Sequence, residues 1–392
     1  MFFRRTKRGK LAMMIEVQSS LVRGSLVWLD PGAAPYIAYD QSVFVPRDPD
    51  AGNDRMVSDV MKAADQAIGE MIRFVAELRG RGGAGDMPRS IAEAHCILSS
   101  PWIMSQARTV TARSERPVKA TERYIRSLID GERGAPAPGE ETVEEKIFDV
   151  ALNGYSVARW RNREAREVSV SYASSTGGEA ARQLRQACAR AVPHDRIHIH
   201  SSLLLHYAGF RALRPAERDY LMLHAHSELT DAVVVEDGLC AFFGSFPIGI
   251  QTAVRDVAAA IGTNLGAAES ALSLYVGGKL DAGHAEAIAA AVAKASSSWT
   301  DGLSALLARR EGKAGLPPRT VIAAHEHESF FAAALRTAFP ANEVAILSLD
   351  DIARAVRYDP RAEKLRSVGL YAAAIHSLEG QADLSPVLSS GK

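Results

Sequence analysis

Two stretches, MIEVQSSLVRGSLV over residues 14–27 and MLHAHSELTDAVVV over residues 222–235, read as one strand-turn-strand hairpin written twice. In each, an apolar run enters a short polar turn and a second apolar run leaves it, the pattern of two antiparallel strands joined by a tight connection. A constant offset of 208 residues aligns them: Glu16 falls on His224, Gln18 on His226, Ser19 on Ser227, Leu21 on Leu229, and Leu26 and Val27 on Val234 and Val235. A hairpin repeated at this distance predicts two related α/β halves. Chains of two such halves usually seat a ligand between them, where the two turns face each other.

Length and composition agree with two halves. The chain has 392 residues, more than the roughly 250–300 at which a single core stops growing. Its 46 Lys and Arg cancel its 46 Asp and Glu, so no global field recruits nucleic acid or anionic lipid. Cys96, Cys188 and Cys240 are far apart in sequence, odd in number and free of any C-x-x-C spacing, which argues against a disulfide framework and a zinc knuckle and for a reducing compartment. No apolar run reaches the ~18 residues of a membrane span, and the opening MFFRRTKRGK lacks the apolar stretch of a signal peptide. Its five basic residues behind Phe2 and Phe3 read as a solvated arm, with a weak lipid anchor as the alternative.

Between the hairpins, AYDQSVFVP reads as a third strand. Residues Met56 to Leu78 then carry apolar side chains at helical spacing. From 92 to 167 the texture changes: a strand HCILSS, a strand ARTVTAR, a helix KATERYIRSLIDGE, a Gly/Pro-rich stretch and two alternating runs around Asn153-Gly154, a strong hairpin signal. The α/β pattern resumes with REVSVSYAS, GEAARQLRQACARAV and RIHIHSS. After the second hairpin come the turn SFPIG, an amphipathic helix, two Ala-rich helices, a linker, and a final strand-helix-strand series ending in a polar tail. The expected organisation is a basic arm (1–10), a first core (11–91), an inserted α+β subdomain (92–167), the first core continued (168–215), a second core (216–262), a helical subdomain (263–316), the second core continued (317–360), a C-terminal helix on the first core (361–378) and a loose tail (379–392).

Leu98-Ser99-Ser100-Pro101-Trp102, Leu229-Thr230-Asp231 with Val233 to Val235, and Ser245-Phe246-Pro247-Ile248-Gly249 occur in an order that resembles the FtsA/PilM branch of the actin-like ATPase superfamily. The resemblance runs from about Leu11 to Leu378. It implies an α/β, actin-like, two-lobed fold of duplicated RNase-H-like cores, each a mixed five-stranded sheet. A small inserted α+β subdomain belongs to the first lobe and a mostly helical one to the second.

In that superfamily each hairpin turn grips nucleotide phosphates with a D-x-G-[ST]-type sequence. Glycine permits close backbone approach, hydroxyls add donors and aspartates hold Mg²⁺. In this chain Glu16 stands for the first aspartate and Gln18 for the glycine, while Ser19 and Ser20 remain as donors. In the second turn His224 replaces the acid, His226 and Ser227 replace glycines, and Thr230 and Asp231 survive. The Gly-Gly pair of the third motif is Ala324-His325. Imidazole is a poor ligand for a hard cation, so these eleven positions read as a degenerate nucleotide cleft with no catalytic residue and no cofactor, Mg-ATP being the alternative.

Three H-x-H pairs stand apart: His198/His200, His224/His226 and His325/His327. The second and third pairs, four imidazoles with Glu16, Glu326 or Asp231, could gather a transition metal. The reading preferred here is hydrogen-bonded histidines and no metal, with His198 and His200 on the polar face opposite Ile197 and Ile199. No G-x-x-x-x-G-K-[ST], G-x-S-x-G or H-E-x-x-H occurs. The resemblance to FtsA and PilM implies a cytoplasmic scaffold, peripheral at the inner membrane face, that recruits the tail of a membrane protein in cell division or pilus assembly and can self-associate. Its contacts would lie near Trp102, Ile103 and Tyr124 or beside the inserted subdomain. The alternative is an ATP-dependent ATPase or sugar-kinase-like enzyme of the same fold.

Overall fold

The computed structural model describes residues 9–45, 53–80, 90–279, 283–310, 315–323, 327–362 and 366–380. The chain divides into two compact units, one made of residues 1–216, 239–241 and 349–392 and the other of residues 217–238 and 242–348.

The first unit opens with β1 (Lys10–Val17), β2 (Leu21–Leu29) and β3 (Tyr36–Phe44), an antiparallel meander, followed by α1 (Asn53–Gly80) and β4 (Ile91–Leu98). β1 is a near-continuous apolar run, because as a central strand it is covered on both faces: Leu11, Met13 and Ile15 are buried on one and Ala12 and Met14 on the other. α1 lays Val60, Ala64, Ala67, Met71 and Val75 on the sheet. Gly24 of β2 lies under this helix, where a Cβ would meet the Met71 methyl at 3.0 Å.

β5 (Ile103–Lys119), α2 (Glu122–Arg133), β6 (Glu141–Leu152), β7 (Tyr155–Ser156) and β8 (Glu164–Gly177) form a separate four-stranded sheet in the order β5-β8-β6-β7. Ile125 and Ile129 of α2 pack on its Val150, Val168, Val170 and Tyr172. The Asn153-Gly154 turn between β6 and β7 has both residues at positive φ, 51° and 83°, as the sequence pair predicts. α3 (Glu179–Cys188), β9 (Ile197–Ser201) and α4 (Ser202–Leu213) return the chain to the first sheet.

The second unit contains β10 (Tyr220–Ala225), β11 (Thr230–Glu236), β12 (Leu239–Phe246) from residue 242 on, α5 (Ile250–Ile261), α6 (Leu265–Val276), α7 (Ala285–Leu307), β13 (Arg319–Ile322), α8 (Glu328–Ala338) and β14 (Glu343–Ile346). α7 carries its apolar stripe at three- and four-residue steps, Ile288, Ala291, Ala295, Trp299, Leu303 and Leu306, all buried. The remaining α9 (Leu349–Ala353), β15 (Arg357–Tyr358) and α10 (Arg366–Gly380) belong to the first unit.

The two larger sheets share one strand order. The first runs β15-β3-β2-β1-β4-β9 and the second β12-β11-β10-β13-β14. Each has an antiparallel three-strand meander followed by parallel strands, so the duplication read from the hairpins extends to whole cores.

Three expected boundaries move. β4 pairs in parallel with β1, so the inserted subdomain begins after residue 98 and not at 92. β8 pairs with β5 and β6 over most of its length, so that subdomain extends to 177 rather than ending at 167. β15 pairs with β3, so residues 349–360 leave the second core for the first, whose sheet has six strands instead of five. In each case hydrogen-bonded pairing, which the local pattern does not encode, decides membership.

Candidate functional site

In the first hairpin Gln18 N–H donates to Leu21 O at 2.9 Å, closing a turn with Ser19 and Ser20 at its tip. Glu16, two residues before the turn, is 2% exposed and lies directly across from Arg23 of β2. Four donors converge on its carboxylate: Gln18 Nε2 at 2.7 Å, Arg23 Nη1 at 2.9 Å, and Ser367 Oγ and Tyr371 Oη of α10, both at 3.0 Å. Two carboxylate oxygens offer about four acceptor directions. The set thus uses the acid inside its own unit, and Gln18 folds back onto Glu16.

The second hairpin repeats this backbone. His226 N–H donates to Leu229 O at 2.8 Å, the same bond displaced by 208 residues, and His224 lies across from Asp231 as Glu16 lies across from Arg23. The polarity is reversed, with imidazoles on the first strand and the acid on the second. His226 Nε2 meets Asp231 Oδ2 at 3.0 Å, and Ser245 Oγ donates to Asp231 Oδ1 at 2.5 Å. The His224 and His226 rings stand 4.1 Å apart between centroids.

Thr230 Oγ1 donates to Ile248 O at 2.8 Å and accepts from Trp299 Nε1 at 2.9 Å, so it ties α7 to the hairpin. The carbonyls of His226 and Ser227 accept from Ile250 N at 3.2 Å and Gln251 N at 2.8 Å, occupying the first donors of α5 that an anion would otherwise use. This contact depends on Gly249: a Cβ there would lie 2.4 Å from His226 O and 2.5 Å from Ser227 O.

Of the eleven expected positions, the structure joins Glu16 with Gln18 at the first turn, where Ser19 and Ser20 also lie, and joins His226 with Asp231 at the second, beside His224, Ser227 and Thr230. Ala324 and His325 lie outside the described residues. His327 approaches Glu269 of α6, Nε2 to Oε1 at 3.7 Å. Sequence reasoning missed Arg23, Ser245, Trp299, Ser367 and Tyr371. Only Arg23 carried a local signal, a charge at an inward-facing position of an otherwise apolar strand.

A buried polar chain crosses the first unit from Lys10 to β6. Lys10 Nζ bonds Glu93 at 2.7 Å, Glu93 bonds His95 Nε2 at 2.9 Å, His95 Nδ1 meets His200 Nε2 at 3.0 Å, and His200 Nδ1 meets Glu144 at 2.8 Å. Ile197 and Ile199 face inward and His198 outward, while His200 joins this chain. Burial brings the His95 pKa down to about 4, helped by His200 and His198 and opposed by Glu93. Burial alone would raise the Glu93 carboxyl, but the hydrogen bond and charge of His95, and then Lys10, bring it to about 2.

Trp102 and Ile103, expected as partner contacts, pack instead in the core of the first sheet at 8% and 4% exposure, and Tyr124 packs against the core of the inserted subdomain. Beside that subdomain lies a groove of about 470 Å³. β6 and the following segment (Lys146 to Val150, Val157, Trp160) line it opposite α4 (Leu204, Tyr207, Arg211) and the end of α10. β6 pairs with β8 along one side, and on the other with β7 at Ala151 and Leu152. Phe148, at the bulge of β6, meets the Tyr207 ring edge-on at 5.0 Å.

No protein-family model matches the sequence. No curated protein matches it either. Among solved structures the chain is similar to one described as the PilM-PilN type IV pilus biogenesis complex, with a TM-score of 0.60 and 16% identity, covering 96% of this chain and 99% of that one. The fold is actin-like. Weaker actin-like similarities are to the ethanolamine utilization protein EutJ from Carboxydothermus hydrogenoformans (TM-score 0.46, 10% identity, 96% and 92% covered) and to the MamK double helical filament (0.45, 9%, 94% and 99%). At such identities the actin-like likeness concerns the fold alone, and among the described residues no helix is long and apolar enough to cross a membrane.

Proposed function

We propose that this chain is an actin-like adaptor at the cytoplasmic face of a membrane. It binds the tail of a membrane protein through the groove beside the inserted subdomain and turns over little or no ATP. The carrying observation is the closure of Glu16 by Gln18, Arg23, Ser367 and Tyr371. A carboxylate with four protein donors must shed several of them before it can serve a magnesium ion, and Arg23 would lose its buried counter-charge in the process.

The groove supports the binding half of the reading. It exposes one side of β6, beside Phe148, Val157 and Tyr207, with Lys146 and Arg211 as cations at its walls. An extended peptide can add along such a strand, with main-chain bonds supplying affinity and side-chain pockets supplying specificity. The solved structure similar to this chain is described as a complex of PilM with PilN. That description favours pilus assembly over cell division for the adaptor.

The test uses Ala212, exposed at the lip of the groove. Crosslinking in native membranes should join the wild-type chain to one membrane protein, identified by mass spectrometry, and Ala212→Trp should abolish that crosslink without changing the circular dichroism. An unaltered crosslink in Ala212→Trp would place the contact elsewhere.

A further inference from the structure

The second hairpin holds a group of side chains that the adaptor reading does not use. His224 and His226 stand two residues apart on β10 and point to one face, and Asp231 lies directly across from His224 on β11. One donor atom from each of the three lies within 4.8 Å of the others, and the residues are 2%, 4% and 1% exposed. We propose that His224, His226 and Asp231 bind a divalent transition-metal ion of the zinc class.

Chemistry selects the ion. Two imidazoles and a carboxylate suit zinc, nickel, copper or ferrous iron, whereas magnesium and calcium take oxygen donors. The spacing is close: ligand atoms about 2.1 Å from a tetrahedral ion lie about 3.4 Å from each other, and His226 Nε2 and Asp231 Oδ2, 3.0 Å apart, would open by a few tenths of an ångström to admit one. The outer shell is also in place, because Ser245 donates to Oδ1 of Asp231 and leaves Oδ2 turned toward His226; such partners orient ligands at metal sites.

A second observation concerns His226 itself. Among the described residues its Nδ1 is buried without a hydrogen bond, a lone pair that burial penalises unless something occupies it. A metal at Nδ1 fills it and keeps Asp231 as the partner that orients the ring. A metal at Nε2 takes the place of the proton shared with Asp231. With the ion at Nε2 all three side chains are ligands; with the ion at Nδ1 the histidines are the ligands and Asp231 acts on the ion through the His226 ring.

The first hairpin supplies the internal comparison. At the corresponding positions it places Glu16 across from Arg23, and the acid is met by a guanidinium of its own unit. The second hairpin offers a carboxylate and two imidazoles, the donor set a transition-metal dication takes. This differs from the four-imidazole cluster weighed from the sequence, since His327 approaches Glu269 and His325 is not required. It also revises the expectation of no metal.

The experiment is calorimetric titration of zinc chloride into tag-free, EDTA-dialysed full chain at neutral pH, with cobalt chloride in parallel to read d–d absorption from a buried site. One equivalent should bind at micromolar affinity or tighter, with visible cobalt bands. His224→Gln and Asp231→Asn should each weaken zinc at least tenfold while circular dichroism stays unchanged, and a His198→Gln/His200→Gln control should bind as the wild type does. Absence of stoichiometric zinc in the wild type overturns the proposal, as does binding that survives His224→Gln with His226→Gln or that is lost in the His198/His200 control.

Discussion

Replacing Glu16 by alanine tests whether the acid of the first turn is a structural ion-pair partner. The substitution removes the acceptor of four hydrogen bonds and leaves the Arg23 guanidinium, 1% exposed, without its counter-charge. Among the described residues Arg23 bonds through Nη1, to Glu16 and to Ser367 at 2.9 Å, while its Nε and Nη2 are buried without partners. Deleting one member of such a pair costs about 3–5 kcal/mol. With a urea dependence of about 2–3 kcal/mol per molar, the midpoint for the first unit should fall by roughly 1–2 M.

Tryptophan fluorescence reports this transition, since Trp28, Trp102 and Trp160 lie in the first unit and only Trp299 in the second. Glu16→Gln keeps one acceptor and loses the charge, so it should cost about 2 kcal/mol. The double variant Glu16→Leu/Arg23→Met should recover most of the loss, because an apolar pair of similar volume often matches a buried ion pair. A Glu16→Ala midpoint within about 0.3 M of the parent, or a double variant no more stable than the single one, would refute the reasoning.

Two further outcomes follow from the packing and the buried polar chain. Gly249→Ala drives a methyl into the His226 and Ser227 carbonyls at 2.4 and 2.5 Å and should cost about 3 kcal/mol, read as a lower melting temperature of the second unit by calorimetry; an unchanged melting temperature would contradict the close approach of α5 to the turn. The first unit should lose stability on acidification. An unfolded His95 binds a proton below its ordinary 6.5, while the folded one, held at about 4, does not until lower pH, so stability drains between about pH 6.5 and 4 by on the order of 3 kcal/mol at most. Glu93 adds a second loss as pH falls from 4.5 toward 2, and His95→Gln should flatten the upper part of a urea-midpoint-versus-pH curve.

The hairpins were legible because apolar runs around polar turns constrain both pairing and register locally. The Asn153-Gly154 turn was legible for the same reason, since few residue pairs adopt positive φ twice in succession. Sheet membership was not. HCIL in β4 and VSVSY in β8 satisfy the strand pattern in any sheet, and their partners are fixed by hydrogen bonds to strands far away in sequence.

The candidate site divides along the same line. Glu16, Gln18, His224, His226 and Asp231 stood out as departures from a motif. Ser367 and Tyr371, which complete the Glu16 shell, lie about 350 residues from it on a helix with no marked feature. Trp102 and Ile103 looked like surface anchors in a turn sequence, yet they fill the first core, because an aromatic beside a strand end has no local sign that says which way it points.

The central claim, an actin-like chain whose first acid is committed to its own unit, is tested most directly by titrating the full chain with a fluorescent ATP analogue in Mg²⁺ and assaying phosphate release on the same sample. The account predicts no saturable binding at micromolar nucleotide and no release above a chain-free blank. Micromolar binding with turnover that Glu16→Ala abolishes would contradict it.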